Sequence, residues 1–391
     1  MKMHIDAAYR SLNKYGEELC GDKVQIIRRE DSTIAVLADG LGSGVKANIL
    51  STLTSTILAT MLNEGATVTE AVETLASTLP VCNIRKLAYS TFSVAQIFDD
   101  GQVELVEFDN PPCMFVRNGK LVDLEPYSEL KECAGKNVVE SHFTIMPGDV
   151  IALVSDGVIY AGVGQALNFG WNWDNVSAWL AKTAMKETSA PRLAASLCQA
   201  VGELYMDRPG DDSTCLILKA IPRSVVNILA GPPVDKEDDP KMVHDFMVSP
   251  GKRMICGGTS ANIVARVLNR KITTTLNYTD PTLPPIGHID GIDLVTEGVL
   301  TLSRTVEILK KYLESGDTFD FRVLDEDNGA AMIAKILIED CTSVRVFAGR
   351  AINPAHQNPG LPADLSIKMQ LLDTLCKLVE RMGKQVERAF Y

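Results

Sequence analysis

Ile34-Ala35-Val36-Leu37-Ala38-Asp39-Gly40, continuing into Leu41-Gly42-Ser43-Gly44-Val45-Lys46-Ala47-Asn48, is the stretch on which the fold turns. A run of apolar, β-favouring residues ends abruptly in an acid and a glycine. From Lys46 to Asn63 the period then changes: Ile49, Leu50, Leu53, Ile57, Leu58, Met61 and Leu62 recur at helical spacing, which predicts an amphipathic helix ending near Gly65. Upstream, Val24–Arg28 is β-rich and separated from Thr33–Ala38 by Arg29-Glu30-Asp31-Ser32, a hairpin signature. Downstream, Thr67 followed by Glu70 forms a capping box for a second helix that should stop by Pro80.

The strand-then-acid pattern recurs. Ile151-Ala152-Leu153-Val154-Ser155-Asp156-Gly157 repeats it, and Asp211-Asp212 directly precede the apolar strand Ser213–Leu218. Asp22 follows Cys20-Gly21 just before Val24–Arg28. A carboxylate at the end of a buried strand is poorly solvated, and several at one sheet edge repel unless cations lie between them. All-oxygen clusters suit Mg²⁺ or Mn²⁺ rather than zinc, and none of the five histidines lies in these motifs. Two such ions about 3.5–4 Å apart activate a shared water and clamp an in-line phosphoryl displacement. A glycine after the acid is expected to let the chain turn and aim its carbonyl at the metal. Any one Asp-Gly after a strand is usually only a turn, and Asp211-Asp212 alone would read as a solvated loop. Four acids in these settings carry the argument together.

Gly42-Ser43-Gly44-Val45-Lys46-Ala47 also fits a dinucleotide fingerprint. Two features oppose that reading. The helix is followed by another helix instead of a parallel strand ending in an acid, and Asp39 would repel a pyrophosphate.

Further hairpins are expected for Thr91–Phe98 with Gln102–Phe108, Cys113–Arg117 with Lys120–Leu124, and Phe143–Ile145 with Val150–Val154. Helices are expected over about 174–187 and 190–206. Hairpins interrupted by helix pairs imply antiparallel sheets with helices stacked outside. Near residues 220–224 the pattern changes. Strands Val225–Leu229 and Arg253–Cys256 alternate with helices from Ser260, Val299 and Ala330, so 1–222 and 223–391 read as two domains, the second a smaller α/β domain. A last helix is expected over about 364–388, with Leu372, Leu375, Val379, Met382 and Val386 on a seam for its own domain or for a homodimer. Gly257-Gly258-Thr259-Ser260 joins a strand to a helix and offers amides to a phosphate or nucleotide, though a plain capped turn explains it as well.

The formal charge, 38 − 50 = −12, gives no basic footprint for nucleic acid or anionic lipid. No stretch is expected to reach the roughly 20 apolar residues of a membrane helix. Nine scattered cysteines without paired spacing read as free thiols in a reducing cytoplasm.

Cys20-Gly21-Asp22, Ala38–Asn48, Val154–Val158 and Gly210–Thr214, in this order and spacing, resemble the PPM family of metal-dependent protein phosphatases and its bacterial branch typified by stage II sporulation protein E. The resemblance covers residues 1 to about 220. It implies an α+β fold of αββα type, a β-sandwich flanked by helix pairs, with two or more Mn²⁺ or Mg²⁺ ions. Asp39 would bridge the metals and the Gly40 carbonyl would bind one. Asp156 and Asp211 would hold one on the far side, and Asp22 the other or its water. Asp212 would stand behind these ligands. Where the branch often has a Gly-His-Pro-like stretch, this sequence has Asp109-Asn110-Pro111-Pro112. The implied substrate is phosphoserine or phosphothreonine on a small regulatory protein, with the second domain sensing a small ligand or binding a protein. Two other readings remain open: hydrolysis of a small phosphate ester or nucleotide, and a scaffold with a vestigial phosphatase domain.

Overall fold

The computed structural model describes residues 3–78, 90–133, 136–187, 189–274, 283–351 and 367–391, so Pro80 and Cys82 lie outside it. The chain divides into two compact units, Met1–Pro222 and Arg223–Tyr391.

The first unit begins with β1 (Met3–Leu12), β2 (Asp22–Arg28) and β3 (Ser32–Gly40), followed by α1 (Gly44–Asn63) and α2 (Val68–Thr78). Strands β4 (Ser90–Phe98), β5 (Gln102–Phe108), β6 (Met114–Arg117), β7 (Lys120–Val122), β8 (Ser128–Cys133), β9 (Lys136–Thr144) and β10 (Val150–Val154) come next. Then follow α3 (Asp156–Ile159), α4 (Trp173–Thr183), α5 (Ala190–Leu204) and β11 (Ser213–Pro222). They form two antiparallel sheets, ordered β2-β3-β4-β5-β9-β8 and β1-β11-β10-β6-β7.

Strand alternation builds three apolar layers. Ala35 and Leu37 of β3 face a core shared with Ile151 and Leu153 of β10 and Leu216 and Leu218 of β11, which locks the sheets face to face. Ile34, Val36 and Ala38 point the other way, onto Leu58 and Leu62 of α1 and Val72 and Leu75 of α2. Ala152 and Val154 pack on Leu180 of α4 and Leu193, Leu197 and Val201 of α5. Truncating a fully buried leucine of the shared core, such as Leu37 or Leu153, costs about 2–5 kcal/mol. The capping box at α2 forms in both directions: the Thr67 amide donates to Glu70 Oε2 (2.9 Å) and the Glu70 amide to Thr67 Oγ1 (3.2 Å).

Three expectations for this unit are corrected. Phe143–Ile145 and Val150–Val154 are not a hairpin, because β9 pairs with β5 and β8 whereas β10 lies in the other sheet. The intervening turn is stitched to β11 instead: Gly148 N donates to Ala220 O (2.8 Å) and Ala220 N to Asp149 O (2.9 Å). The buried Asp149 carboxylate accepts from Met146 N and from the Arg117 guanidinium, fixing that crossing. Strands β1 and β8 were not expected at all. Finally, α1 is long and apolar enough by length and composition to resemble a membrane span. Here Ala47, Ser51, Thr54, Ser55, Leu58, Ala59 and Leu62 form its buried side, so small and hydroxyl-bearing residues face the sheet.

The second unit contains β12 (Val225–Ala230), α6 (Asp239–Val248), β13 (Lys252–Cys256), α7 (Gly258–Leu268), β14 (Thr273–Thr274), β15 (Gly287–His288) and β16 (Leu294–Thr296). It continues with α8 (Val299–Ser315), α9 (Gly329–Lys335), β17 (Ser343–Ala348), α10 (Ile367–Arg381) and β18 (Gln385–Phe390). Strands β16-β13-β12-β17-β18 run parallel in that order, with β15 and β14 antiparallel beside β16. Helices α6 and α7 cover Leu229, Ile255, Val295 and Phe347. The expected helix over 364–388 is shorter. Its first residues, 364–366, lie outside the described ones, and Gly383 in a left-handed conformation (φ +78°) ends it. Val386 therefore belongs to β18, opposite Val344, rather than to a helical seam. Leu372, Leu375 and Val379 are buried within the unit.

Candidate metal centre

The register of the two sheets brings the strand-end acids to one edge of the sandwich. Asp22 opens β2 and lies directly opposite Asp39 at the end of β3. In the facing sheet Val154, at the end of β10, pairs with Cys215 near the start of β11, which sets Asp156 beside Asp211. Leu12, at the end of β1, pairs with Ser213 and brings the segment after it to the same edge.

Side chains and backbone hold these positions. Ser90 Oγ donates to Asp39 O (2.8 Å). Asn48 Nδ2, one turn into α1, donates to Cys20 O (2.8 Å) and ties the helix to the segment carrying Asp22. Ser155 Oγ accepts from Thr214 N (2.8 Å), and the Tyr205 hydroxyl donates to Gly157 O (2.8 Å). The last bond engages the Gly157 carbonyl, which a glycine after the acid was expected to aim at a metal. Neither Gly40 nor Gly157 has a positive φ. Each is glycine because nothing larger fits. A Cβ on Gly40 would lie 2.0 Å from Ala47 O, and one on Gly157 2.1 Å from Asp212 O.

The electrostatics are those of crowded like charges. Burial first, then the charges of Asp22, Asp156 and Asp211, push the Asp39 carboxyl up to about 9. Burial raises Asp22 to about 7, against the pull of the Ser155 and Thr214 hydroxyls. Thr214 Oγ1 pairs with Ser11 Oγ at 2.8 Å and Ser155 Oγ accepts from the Thr214 amide, and both Asp22 oxygens are buried without a hydrogen bond of good geometry. Asp156 is raised by burial and by Asp211. Asp211 is raised by burial and held back by the Asp212 amide and Lys14. A carboxylate with two orphaned buried oxygens, among three others driven upward, is what a site for hard cations looks like without them. The residues fit Mg²⁺ or Mn²⁺. Among the described residues no three such side chains already converge at ligand distances, and Asp156 and Asp211 are partly exposed.

Asp212 has a different task from its neighbours. Buried at 4% exposure, it accepts from Lys14 N (2.9 Å) and Gly21 N (2.8 Å), clamping both ends of the loop between β1 and β2. Sequence reasoning missed this clamp, along with Asn48 and Tyr205, because each role is defined by contacts far along the chain. The stretch Asp109-Asn110-Pro111-Pro112 supports β4, with Asn110 Nδ2 donating to Ser93 Oγ (2.9 Å), and Pro112 O accepts from Trp173 Nε1 (2.8 Å).

In the second unit Gly257 caps α7 with φ +126° and no side-chain cap. The Ser260 hydroxyl, fully buried, accepts from Gly231 N (2.8 Å) and so supports the turn internally. Lys368 Nζ lies where a Cβ on Gly257 would meet it at 2.6 Å.

Residues 29–221 match the family model of stage II sporulation protein E. No curated protein matches the chain. Among solved structures it is similar to the PP2C phosphatase domain, with a fragment of the regulatory domain, of the cell fate determinant SpoIIE from Bacillus subtilis (20% identity, TM-score 0.49, 56% of this chain and 64% of that one). It is also similar to the RsbU and RsbW domains of Rv1364c from Mycobacterium tuberculosis (20% identity, TM-score 0.45, 56% and 61%). A third is RsbX in complex with magnesium (21% identity, TM-score 0.42, 56% and 96%). The chain spans less than two thirds of the first two. By its match over residues 29–221, the first unit belongs to the stage II sporulation protein E family of PPM-type phosphatases.

Proposed function

We propose that the first unit is a metal-dependent phosphatase acting on phosphoserine or phosphothreonine of a regulatory protein, with two or more Mn²⁺ or Mg²⁺ ions. One observation carries this reading. Asp22, Asp39, Asp156 and Asp211 are gathered at one sandwich edge with their carboxyls driven upward, and both oxygens of Asp22 are orphaned. Asp39 would bridge the ions with help from the Gly40 carbonyl. Asp156 and Asp211 would hold one, and Asp22 the other or its water. The ions supply Lewis acidity and a water of lowered pKa. The chain's own residues do the rest. Asp22 and Asp39, fixed by the β2–β3 register, set where charge can be neutralised. Ser90, Asn48 and Tyr205 hold the supporting backbone. Asp212 fixes the loop at the rim of the site.

For the second unit we propose a regulatory part that binds a small ligand or a protein. The glycine turn Gly257–Ser260, with Lys368 beside it, is where an anionic group would be received.

The deciding experiment offers the full chain, with Mn²⁺, a phosphoserine peptide, a phosphothreonine peptide, free nucleotides and an aryl phosphate. Turnover of the phosphopeptides that vanishes on chelation is expected. Preference for nucleotides would favour the small-ester alternative, and turnover that persists after exhaustive chelation or requires zinc would remove the metal reading. Inactivity on every substrate would favour the scaffold alternative.

A further inference from the structure

We propose that Lys14 is the group that receives the substrate's phosphate at this centre, an assignment that rests on the phosphatase reading. Four carboxylates and two divalent ions nearly cancel. A phosphate monoester then arrives with close to two negative charges and needs a cation beyond the metals. Among the ion pairs of the described residues, Lys14 is the one basic group that reaches any of the four carboxylates, at Asp211.

Its placement is built rather than incidental. The Lys14 amide is held by Asp212 Oδ1 at 2.9 Å, Tyr15 N donates to Pro209 O (2.8 Å), and Glu17 N donates back to Lys14 O (3.0 Å). The backbone is thus pinned on both sides of the residue while the side chain stays free at its tip. Lys14 Nζ is 3.8 Å from Asp211 Oδ1, which is ion-pair range but too long for a direct hydrogen bond. The side chain is 37% exposed, so the ammonium reaches the rim of the centre with its donors unspent. The ammonium thus stands beside a carboxylate that would hold an ion, where a phosphate bound to that ion would be within its reach. A second cation beside this segment is Arg208, whose guanidinium lies over the Tyr15 ring 5.4 Å from its centroid.

The test compares the wild-type full chain with Lys14→Gln, Lys14→Arg and Arg208→Gln. Calorimetry measures Mn²⁺ binding and then binding of inorganic phosphate to the Mn²⁺-loaded protein, alongside KM and kcat on a phosphoserine peptide. Losing one charge-assisted contact should weaken phosphate binding and raise KM about tenfold or more in Lys14→Gln. Mn²⁺ affinity should hold or tighten, because the ammonium no longer competes for Asp211. Lys14→Arg should recover most of the phosphate affinity, and Arg208→Gln should leave it unchanged. Unchanged phosphate binding in Lys14→Gln overturns the assignment, as does a loss carried by Arg208→Gln instead. A parallel loss of Mn²⁺ affinity would also overturn it, by making Lys14 a support for Asp211. If the wild type hydrolyses no phosphoester, the phosphatase reading fails, while the phosphate calorimetry still decides the role of Lys14.

Discussion

At the scale of single residues, the four clustered acids and Asp212 separate into two kinds of carboxylate, and substitution should tell them apart. Asp39 is the most strongly raised of the cluster, with three other carboxylates acting on it. Asp39→Asn and Asp211→Asn should each reduce turnover by about a hundredfold or more, Asp39 being the worse because it is proposed to bridge the ions. In the metal-free chain both changes relieve repulsion, so melting temperatures measured with chelator should rise. Asp212→Asn should behave in the opposite way. An asparagine there keeps one acceptor but turns an NH₂ toward a main-chain N–H, at a cost of about 1–3 kcal/mol. The resemblance put Asp212 behind the ligands; the clamp makes the effect of its substitution one of stability. Near wild-type turnover in Asp39→Asn would refute the ligand assignment. The same cluster fixes a pH dependence. A carboxyl raised in the folded state binds its proton more tightly there than in the unfolded chain. Metal-free stability is therefore full below the ordinary carboxylate range and falls as pH rises toward about 9, the Asp39 value. Chelated melts between pH 5 and 9 should decline, with a shallower slope in Asp39→Asn. A metal-free protein that gains stability across that range would contradict the electrostatics described above.

At the scale of elements, what could be read in advance was what neighbours in sequence decide. The β2–β3 hairpin, the extent of α1 and the capping box of α2 are local, set by turn residues, helical period and a three-residue spacing, although Ile49 and Leu53 of the expected apolar face of α1 are exposed. That acids sit at the ends of apolar strands was legible for the same reason. Pairing across the chain was not. The partner of β1 is β11, with Met3 opposite Pro222, and nothing within residues 3–12 announces a strand some two hundred residues away. The turn at 146–149 looked like a hairpin because its residues are hairpin residues. Only its bonds to Ala220 and Arg117 show that the chain is changing sheets. The helix expected through 388 failed at Gly383, where a left-handed turn is easy for glycine and a parallel edge strand gains a full ladder with β17. The contact between α1 and β3 yields its own prediction. Gly40 packs against the Ala47 carbonyl so closely that a Cβ cannot enter without moving the helix. Gly40→Ala should therefore cost about 1–3 kcal/mol or more and loosen the tie from Asn48 to Cys20. Denaturant unfolding and backbone amide exchange over residues 44–51 would measure it. A variant as stable as the wild type would mean that α1 is not seated as described.

At the scale of the whole chain, each unit completes its own sheets. In the first, the final strand β11 lies between β1 and β10, so the unit's own N-terminal strand closes the ladder at Pro222. In the second, the first strand β12 is central, flanked by β13 and β17 from within residues 223–391. A cut between Pro222 and Arg223 therefore divides no strand pair named here, and every acid of the candidate centre stays on one side of it. The fragment 1–222 should fold alone and keep basal, metal-dependent turnover of an aryl phosphate. The intact chain should then unfold in two transitions, since two complete cores need not melt together. Metal binding stabilises only the unit that holds it, by RT ln(1 + [L]/Kd), or about 2.7 kcal/mol at a hundred times Kd. Added Mn²⁺ should thus move one transition upward and leave the other in place, and the transition that moves should match that of the isolated fragment. Scanning calorimetry of the chain and the fragment, each with Mn²⁺ and with chelator, measures this directly. If the fragment is insoluble or inactive beside an active full chain, or if Mn²⁺ shifts one undivided transition, the two cores depend on each other and the catalytic unit does not end at Pro222.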